Sequence, residues 1–294
     1  MRVSLLAGAA AALLAPGLAA GAARSDEPVT NVYVMDGHGR GLTRITRSAP
    51  GQDEHLVYRP SWSPDGRHIA FGEEGCHACG SVVVVAPVRL SGRKVHGRVL
   101  KTGFNPSWSP VDNRIAYVGM GGRIYTMAPN GAKVRLVVGG HDANDEPSWS
   151  PDGKRLVITR QTSATTWELY AVGVDGKGLK RLTNGRQDLD PAWSPNGKRI
   201  AFARQERSGR WQIYVMNADG SHPRRLGDGH ASDTSPTWSP DSRRIAFTRE
   251  RNRRSAVYVM RADGSGVRRI TSPKLDATQP AWSRTGRLAF VGGT

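Results

Sequence analysis

The stretch Pro191-Ala192-Trp193-Ser194-Pro195-Asn196-Gly197, followed by Arg199-Ile200-Ala201-Phe202, decides the fold, because five further versions of it occur in the chain. Each version has a tryptophan two residues after a proline, and these tryptophans are Trp62, Trp108, Trp149, Trp193, Trp238 and Trp282. The intervals between them are 46, 41, 44, 45 and 44 residues. Self-similarity at a period of this size indicates a repeat architecture.

Each repeat contains four short apolar runs separated by turn residues. In the unit that begins at Pro191 the runs cover residues 192–194, 200–203, 213–216 and 224–226. The turns between them contain Pro-Asn-Gly at 195–197 and Asp-Gly at 219–220, in which proline presets φ and glycine accepts a positive φ. Short β-branched and aromatic runs divided in this way are typical of antiparallel hairpins, so the sequence predicts an all-β chain.

Six units of four strands predict a six-bladed β-propeller, in which four-stranded antiparallel blades surround a central channel. The ends of the chain support a closed ring. Residues 32–35 and 42–46 match the third and fourth strands of a unit, whereas Trp282 and residues 287–290 match the first and second. We therefore expect the N- and C-terminal strands to share one blade, which leaves no blade face unpaired.

The repeat resembles that of TolB-type (WD40-like) proteins over residues 31–290. The shared motifs are Pro-x-Trp-Ser-Pro-Asp-Gly, Ile-Ala-Phe, Ile-Tyr-Val-Met-Asn-x-Asp-Gly and Arg-Arg-Leu. This resemblance implies that the first strand of each unit is the innermost. TolB itself has an α/β domain ahead of its propeller, and we expect no counterpart of that domain in this chain.

Residues 1–23 have the composition of a signal peptide. Arg2 supplies a positive start, residues 5–15 an apolar core, and Ala20-Gly21-Ala22 a small-residue cleavage site. This core is too short for a stable membrane span. We therefore expect a secreted, periplasmic or cell-envelope protein that does not span the membrane, with residues 24–294 as a single propeller domain.

The chain is strongly basic, with a formal net charge of +17, and arginines make up 34 of its 42 cationic residues. Because they recur beside the fourth strands and after the turns, the sequence predicts a dispersed basic rim. Such a rim is either solvated surface or a means of attracting an anionic envelope polymer or lipid headgroups. A nucleic-acid partner is not expected, since no aromatic platform alternates with the cations.

Cys76 and Cys79 are the two cysteines of the chain and are separated by two residues in the loop between the second and third strands of the first complete unit. A turn brings such residues close enough for a disulfide, and export favours oxidation. A structural disulfide is therefore our leading interpretation. A redox pair or a metal site would need further groups that the surrounding sequence does not clearly supply.

The six units can be aligned on the proline that lies two residues before each tryptophan. The residue directly before this proline is polar in every unit, and these residues are Arg59, Asn105, Glu146, Asp190, Ser235 and Gln279. Small residues follow the prolines. If the first strand is innermost, the polar residues surround one mouth of the channel, with Asp188 and Asp233 nearby. We identify Asn105, Glu146, Asp188, Asp190 and Asp233 as candidate ligands for a peptide or a cation. The alternative is a hydrated ring without a ligand.

The sequence favours a non-catalytic interaction module, because common hydrolase, zinc-protease and phosphate-binding motifs are absent. We expect a monomer that binds a protein or peptide partner and needs no cofactor. The first alternative is a metal-assisted lyase or hydrolase acting on anionic carbohydrate, for which His55, His141 and His230 are weak candidate ligands. The second alternative is a basic surface that binds anionic polymer or lipid headgroups.

Overall fold

The computed structural model describes residues 30–46, 56–74, 80–88, 97–140 and 142–293. Every regular element in these ranges is a β-strand, and the strands form six sheets of four antiparallel strands each. The predicted six-bladed propeller is confirmed. The predicted signal peptide and both cysteines lie outside the described residues.

The strands follow the order that the repeats predict. The chain begins with β1 (Thr30–Asp36) and β2 (Thr43–Arg44). Blade 1 contains β3 (Leu56–Trp62), β4 (His68–Glu74), β5 (Ser81–Pro87) and β6 (Arg98–Thr102). Blade 2 contains β7 (Phe104–Trp108), β8 (Ile115–Gly119), β9 (Arg123–Met127) and β10 (Arg135–Val138). Blade 3 contains β11 (Asn144–Trp149), β12 (Arg155–Ser163), β13 (Thr166–Gly173) and β14 (Lys180–Arg181).

The second half of the ring repeats this plan. Blade 4 contains β15 (Asp188–Trp193), β16 (Arg199–Gln205), β17 (Trp211–Asn217) and β18 (Arg224–Arg225). Blade 5 contains β19 (Ser232–Trp238), β20 (Arg244–Arg251), β21 (Arg254–Arg261) and β22 (Arg268–Arg269). The last two strands are β23 (Asp276–Trp282) and β24 (Arg287–Gly293).

Blade 6 closes the ring because it combines both ends of the chain. Its strand order is β2-β1-β24-β23, and β1 pairs with β24 from Thr30 opposite Gly293 to Asp36 opposite Arg287. Each first strand contacts the first strand of the next blade, including β23 against β3. The first strands are therefore innermost, as the repeat resemblance implied.

Six apolar clusters lie between the blades, one at each junction. The cluster between blades 3 and 4, for example, packs Val157 and Leu169 against Trp193 and Phe202. Burial of apolar surface contributes roughly 25 cal/mol per Å², so each blade is stabilised mainly by its neighbours. This dependence is the physical reason that the repeat had to form a closed ring.

Three of the six recurrent tryptophans also join blades through their indole nitrogens. Nε1 of Trp62 donates a hydrogen bond to the carbonyl oxygen of Ala281 at 3.0 Å, Nε1 of Trp149 donates to that of Ser107 at 2.9 Å, and Nε1 of Trp238 donates to that of Ala192 at 3.1 Å. Each acceptor directly follows the proline of the preceding blade. At these three junctions the Pro-x-Trp motif is therefore an inter-blade contact. No helix of the described part of the chain is long and apolar enough to span a membrane.

Candidate functional site

Each inner strand has a local irregularity at the residue that precedes its proline. The pairing register between the first two strands shifts there in all six blades, for example between Asp145 and Ser148 in blade 3. The six polar residues have positive φ values between 48° and 56°, and they are Arg59, Asn105, Glu146, Asp190, Ser235 and Gln279. We call these six residues the polar ring. A left-handed backbone at a non-glycine residue costs roughly 1–3 kcal/mol, so its sixfold recurrence must be offset by specific contacts.

The polar ring lines a central cavity of about 250 Å³. The prolines that follow it contribute the wall, together with five of the small residues, which are Ser61, Ser107, Ser148, Thr237 and Ala281. Trp62, Pro110 and Arg284 extend this lining to the face that carries the turns between first and second strands, which we call the turn face. The cavity thus combines an apolar wall with a polar interior.

Side chains of the polar ring accept hydrogen bonds from the backbone of the next blade. Oε2 of Glu146 accepts from the nitrogen of Asp190 at 2.5 Å, and Oδ2 of Asp190 accepts from the nitrogen of Ser235 at 2.8 Å. Across the ring closure, Oε1 of Gln279 accepts from the nitrogen of Arg59 at 2.9 Å. At these three positions the positive φ is therefore offset by a hydrogen bond between neighbouring blades.

One ion cluster crosses the channel. The guanidinium of Arg59 in blade 1 pairs with the carboxylates of Glu146 in blade 3 and Asp190 in blade 4. Oε2 of Glu146 also accepts from the Thr159 hydroxyl at 2.8 Å. Next to this cluster, Nδ2 of Asn105 donates to Oδ1 of Asp145 at 2.5 Å. Three of the five predicted candidates, Asn105, Glu146 and Asp190, therefore lie around the same cavity.

Charge balance and burial set the protonation of this cluster. Asp145, Glu146 and Asp190 share the one guanidinium of Arg59, so full ionisation would leave a buried net charge of −2. Burial raises the pKa of Glu146 to about 8 and that of Asp145 to about 6, against the attraction of Arg59. The pKa of Asp190 is lowered, because Arg59 and donated hydrogen bonds outweigh its burial. One proton on Glu146 changes the buried net charge from −2 to −1.

The structure places Asp188 and Asp233 away from the cavity. Asp188 forms a two-pronged ion pair with Arg204 at 2.6 and 2.8 Å, and Asp233 forms the same pair with Arg249 at 2.7 and 2.8 Å. Both carboxylates are buried and face the second strand of their own blade. They do not line the central cavity with Glu146 and Asp190, because their positions two residues earlier precede the register shift.

The candidate metal ligands are only partly within the described residues. His230 is exposed, and its backbone nitrogen donates to Oδ1 of Asp228 at 3.0 Å. His55 and His141 lie outside the described residues. Within the described ranges, no group of three or more His, Cys, Asp or Glu side chains is arranged to hold a metal ion.

Sequence reasoning missed two features of the channel. It counted Arg59 simply as one of six polar residues and did not predict its ion pairs. The signal was that Arg59 is the one cation in a set that also contains the carboxylates Glu146 and Asp190. Sequence reasoning also assigned no contact to the two turns that depart from the Ser-Pro-Asp-Gly pattern, at residues 109–113 in blade 2 and 283–286 in blade 6. In the structure they meet, because Nη1 of Arg284 in the blade 6 turn donates to the carbonyl oxygen of Pro110 in the blade 2 turn at 2.6 Å. This bond passes blade 1 and covers part of the mouth at the turn face.

Comparisons with known proteins agree with the geometry. The family described as the TolB beta propeller domain matches residues 186–292. A TolB candidate from Agrobacterium tumefaciens has a TM-score of 0.74 and 22% identity, over 91% of this chain and 99% of that chain. TolB from Acinetobacter baumannii has a TM-score of 0.69 and 18% identity, over 87% of this chain and 66% of that chain. An oligogalacturonate lyase in complex with manganese has a TM-score of 0.56 and 16% identity, over 79% of this chain and 70% of that chain.

The closed ring of six four-stranded sheets defines the protein as a six-bladed β-propeller. Within that class its repeat and its fold are TolB-like, which confirms the resemblance seen in the sequence. The likenesses to solved structures are below 25% identity and establish the fold. Function has to be argued from the site.

Proposed function

We propose that the protein is an exported, non-catalytic interaction module that binds a protein partner through its central channel. Support comes from the cavity, whose lining includes residues from all six blades. Its volume of about 250 Å³ lies below the roughly 300–1,000 Å³ of pockets for drug-sized ligands. A cavity of this size suits one or two side chains of a partner chain better than a whole small-molecule substrate.

The chemistry of the lining indicates which partner segment would fit. Prolines and Trp62 offer apolar contacts near the turn face, while the polar ring offers hydrogen-bonding groups deeper in the channel. Glu146 and Asp190 already face Arg59, so a basic side chain of the partner would compete with Arg59 for them. An extended peptide segment with one apolar and one polar or basic residue matches this arrangement.

The polar ring is preorganised for such binding. Hydrogen bonds between neighbouring blades fix the backbone of Arg59, Asp190 and Ser235. A rigid site loses little conformational entropy when a partner binds, which favours affinity from a small contact area. Export belongs to the same proposal and rests on the composition of residues 1–23. N-terminal sequencing of the protein recovered from the cell envelope tests this part directly.

The channel is tested by filling it without breaking the polar ring. Ser107 lines the cavity, and its side chain makes no hydrogen bond with a described residue, so Ser107→Phe should occupy the lumen. The matched control is Ser208→Phe, at an exposed loop on the face opposite the turn face. The wild-type protein and both variants are purified in their exported form and immobilised. Each is then used to capture partners from an envelope extract at low and at high salt.

We expect the wild type and Ser208→Phe to retain the same partner at high salt. The amount of this partner captured by Ser107→Phe should be lower by a factor of about ten or more. Equal capture by all three proteins would refute the channel as the binding site. Capture that disappears at high salt in all three would indicate that the arginine-rich surface dominates instead.

A further inference from the structure

A second concave site lies on the turn face, outside the channel, in the groove between blades 4 and 5. The groove has a volume of about 590 Å³. Five arginines line it, and they are Arg199, Arg224, Arg243, Arg244 and Arg261. Residues from both blades contribute, so the packing of these two blades creates the groove.

Two of these arginines stand opposite each other at the ends of paired strands. Arg244 on β20 is the register partner of Arg261 on β21. The same strand positions hold Arg199 opposite Asn217 in blade 4, and Arg287 opposite Asp36 in blade 6. Like charges directly opposite each other destabilise a strand pair. The fold therefore does not require an arginine at position 261, and a bound anion would relieve the repulsion.

The charge of the groove is not neutralised within the protein. None of the five arginines has a carboxylate within 4 Å among the described residues. Asp241 and Asp263 also line the groove, but each accepts a hydrogen bond from its own turn, from the nitrogen of Arg243 at 3.0 Å and that of Ser265 at 2.8 Å. Hydrogen bonds from the Ser239 hydroxyl and the Arg243 nitrogen lower the pKa of Asp241, and hydrogen bonds from Ser265 lower the pKa of Asp263. Attraction by the nearby groove arginines lowers both pKa values further, so both carboxyls stay ionised. The groove keeps a net charge of +3.

The repeat allows a comparison between junctions. Four positions define the basic lining here. One is the start of the outer strand of a blade, two are the consecutive residues that follow the first turn of the next blade, and the fourth is the end of that blade's third strand. At the junction of blades 4 and 5 all four are arginine, namely Arg224, Arg243, Arg244 and Arg261. Between blades 2 and 3 the corresponding residues are Arg135, Lys154, Arg155 and Gly173. At these four positions the junction of blades 4 and 5 therefore carries one more cation than that of blades 2 and 3, and the additional cation is Arg261.

Two of the guanidiniums are held in place before any ligand arrives. The guanidinium of Arg244 lies over the Trp282 ring at 5.4 Å from its centroid. Nη1 of Arg224 donates to the backbone oxygen of Asp263 at 3.1 Å. A guanidinium held in this way binds an anion with less loss of side-chain entropy than a free lysine does.

We propose that this groove binds an oligophosphate segment, meaning a ligand with several phosphate groups in a row. A phosphate carries more charge than a carboxylate and has more acceptor oxygens, so several guanidiniums can converge on it. Five arginines within one groove match that requirement. The site is independent of the channel, and its phosphate can come from a soluble ligand or from a lipid headgroup.

Calorimetric titration with inorganic tripolyphosphate tests the site. The variant is Arg244→Gln with Arg261→Gln, and the matched control is Lys154→Gln with Arg155→Gln, which removes the same charge from the junction of blades 2 and 3. We expect the groove variant to bind at least about tenfold more weakly and the control less than about twofold more weakly. The melting temperature of the groove variant should change little, because relief of the repulsion between Arg244 and Arg261 offsets the loss of the Arg244 contact with the Trp282 ring.

Two outcomes would overturn the proposal. Equal weakening in both variants would mean diffuse attraction by the net charge of the protein, and no binding by the wild type would mean that there is no site. A second arm uses vesicles that contain phosphatidylglycerol. Loss of vesicle binding in the groove variant, with the control unaffected, supports the site and identifies a lipid headgroup as the source of phosphate. Loss of tripolyphosphate binding without any vesicle binding supports a soluble oligophosphate.

Discussion

The backbone nitrogen of Ser235 donates a hydrogen bond to Oδ2 of Asp190 at 2.8 Å, and this bond ties blade 5 to blade 4 at the wall of the channel. Asp190 in turn donates its own backbone nitrogen to Glu146 of blade 3. The same residues that look like an open acidic site in the sequence are therefore links between blades. A ligand in the channel has to bind within this network, so the stability of the ring and the chemistry of the site are coupled.

The first prediction concerns Asp190. Asp190→Ala removes the acceptor of the Ser235 nitrogen and one of the two carboxylates that pair with Arg59. Because Glu146 can ionise and keep Arg59 compensated, we expect the loss in the free energy of unfolding by urea to come mainly from the unsatisfied Ser235 donor, at about 1–3 kcal/mol. The control is Asp219→Ala, at an exposed turn, which should lose much less. Equal losses would mean that Asp190 is not a structural link.

The second prediction concerns pH. The pKa of Glu146 is about 8 in the folded protein and near 4.5 when the chain is unfolded, so the folded state holds the extra proton between these values. Stability should therefore be greatest on the acid side of this window and fall as pH rises through about 8. Glu146→Gln should flatten this part of the profile, because its side chain cannot ionise. Identical melting-temperature profiles of the two proteins from pH 5 to 9 would contradict the assignment.

The third prediction concerns the recurrent tryptophan. Trp193 is buried in the cluster between blades 3 and 4, and the guanidinium of Arg155 lies 4.8 Å from its ring centroid. We expect Trp193→Ala to reduce the free energy of unfolding by about 3–5 kcal/mol, as for other large buried aromatic residues. The half-buried Trp167 outside the repeat motif provides the comparison, and Trp167→Ala should cost clearly less. An unchanged melting temperature for Trp193→Ala would refute its packing role.

The fourth prediction concerns access to the channel. The hydrogen bond from Arg284 to Pro110 covers part of the mouth, and both residues are at the surface. Arg284→Ala should therefore speed alkylation of a cysteine placed at Ser107 with little change in stability. Mass spectrometry of the peptide that contains position 107 separates this reaction from that of the native cysteines.

Arg243→Ala, on the same face but outside the channel, is the control for this measurement and should leave the alkylation rate unchanged. If Arg284→Ala has no more effect than the control, then Arg284 does not limit entry. The channel would then be freely open at the turn face in the wild-type protein.

Much of the fold could be read from local chemistry. The Pro-x-Trp-Ser-Pro motif carries its own turn, and the spacing of the six tryptophans sets the number of blades. The half units at residues 32–46 and 282–290 predicted the shared blade, which pairs β1 with β24 over seven residues. These features depend on short-range hydrogen bonds and periodicity, both of which are encoded within one repeat.

The candidate site followed different rules. Asp188 and Asp190 are two residues apart and are equally polar in the sequence, yet Asp188 pairs with Arg204 of its own blade and Asp190 faces Arg59 of another. The register shift at Asp190 separates them, and its direction depends on the positive φ of that residue. Sequence pattern therefore located the polar ring but could not assign its partners.

The sequence by itself determined that this protein is a six-bladed propeller with TolB-like repeats, because repeat length, turn chemistry and apolar periodicity are local properties. Tertiary structure alone decided that Arg59 meets Glu146 and Asp190 across the channel, and that Arg244 and Arg261 share a groove with Arg224 of the preceding blade. Both arrangements join residues that are tens of positions apart in the chain. Only the packing of the blades brings their charges within range of one another, and charge interactions weaken with distance.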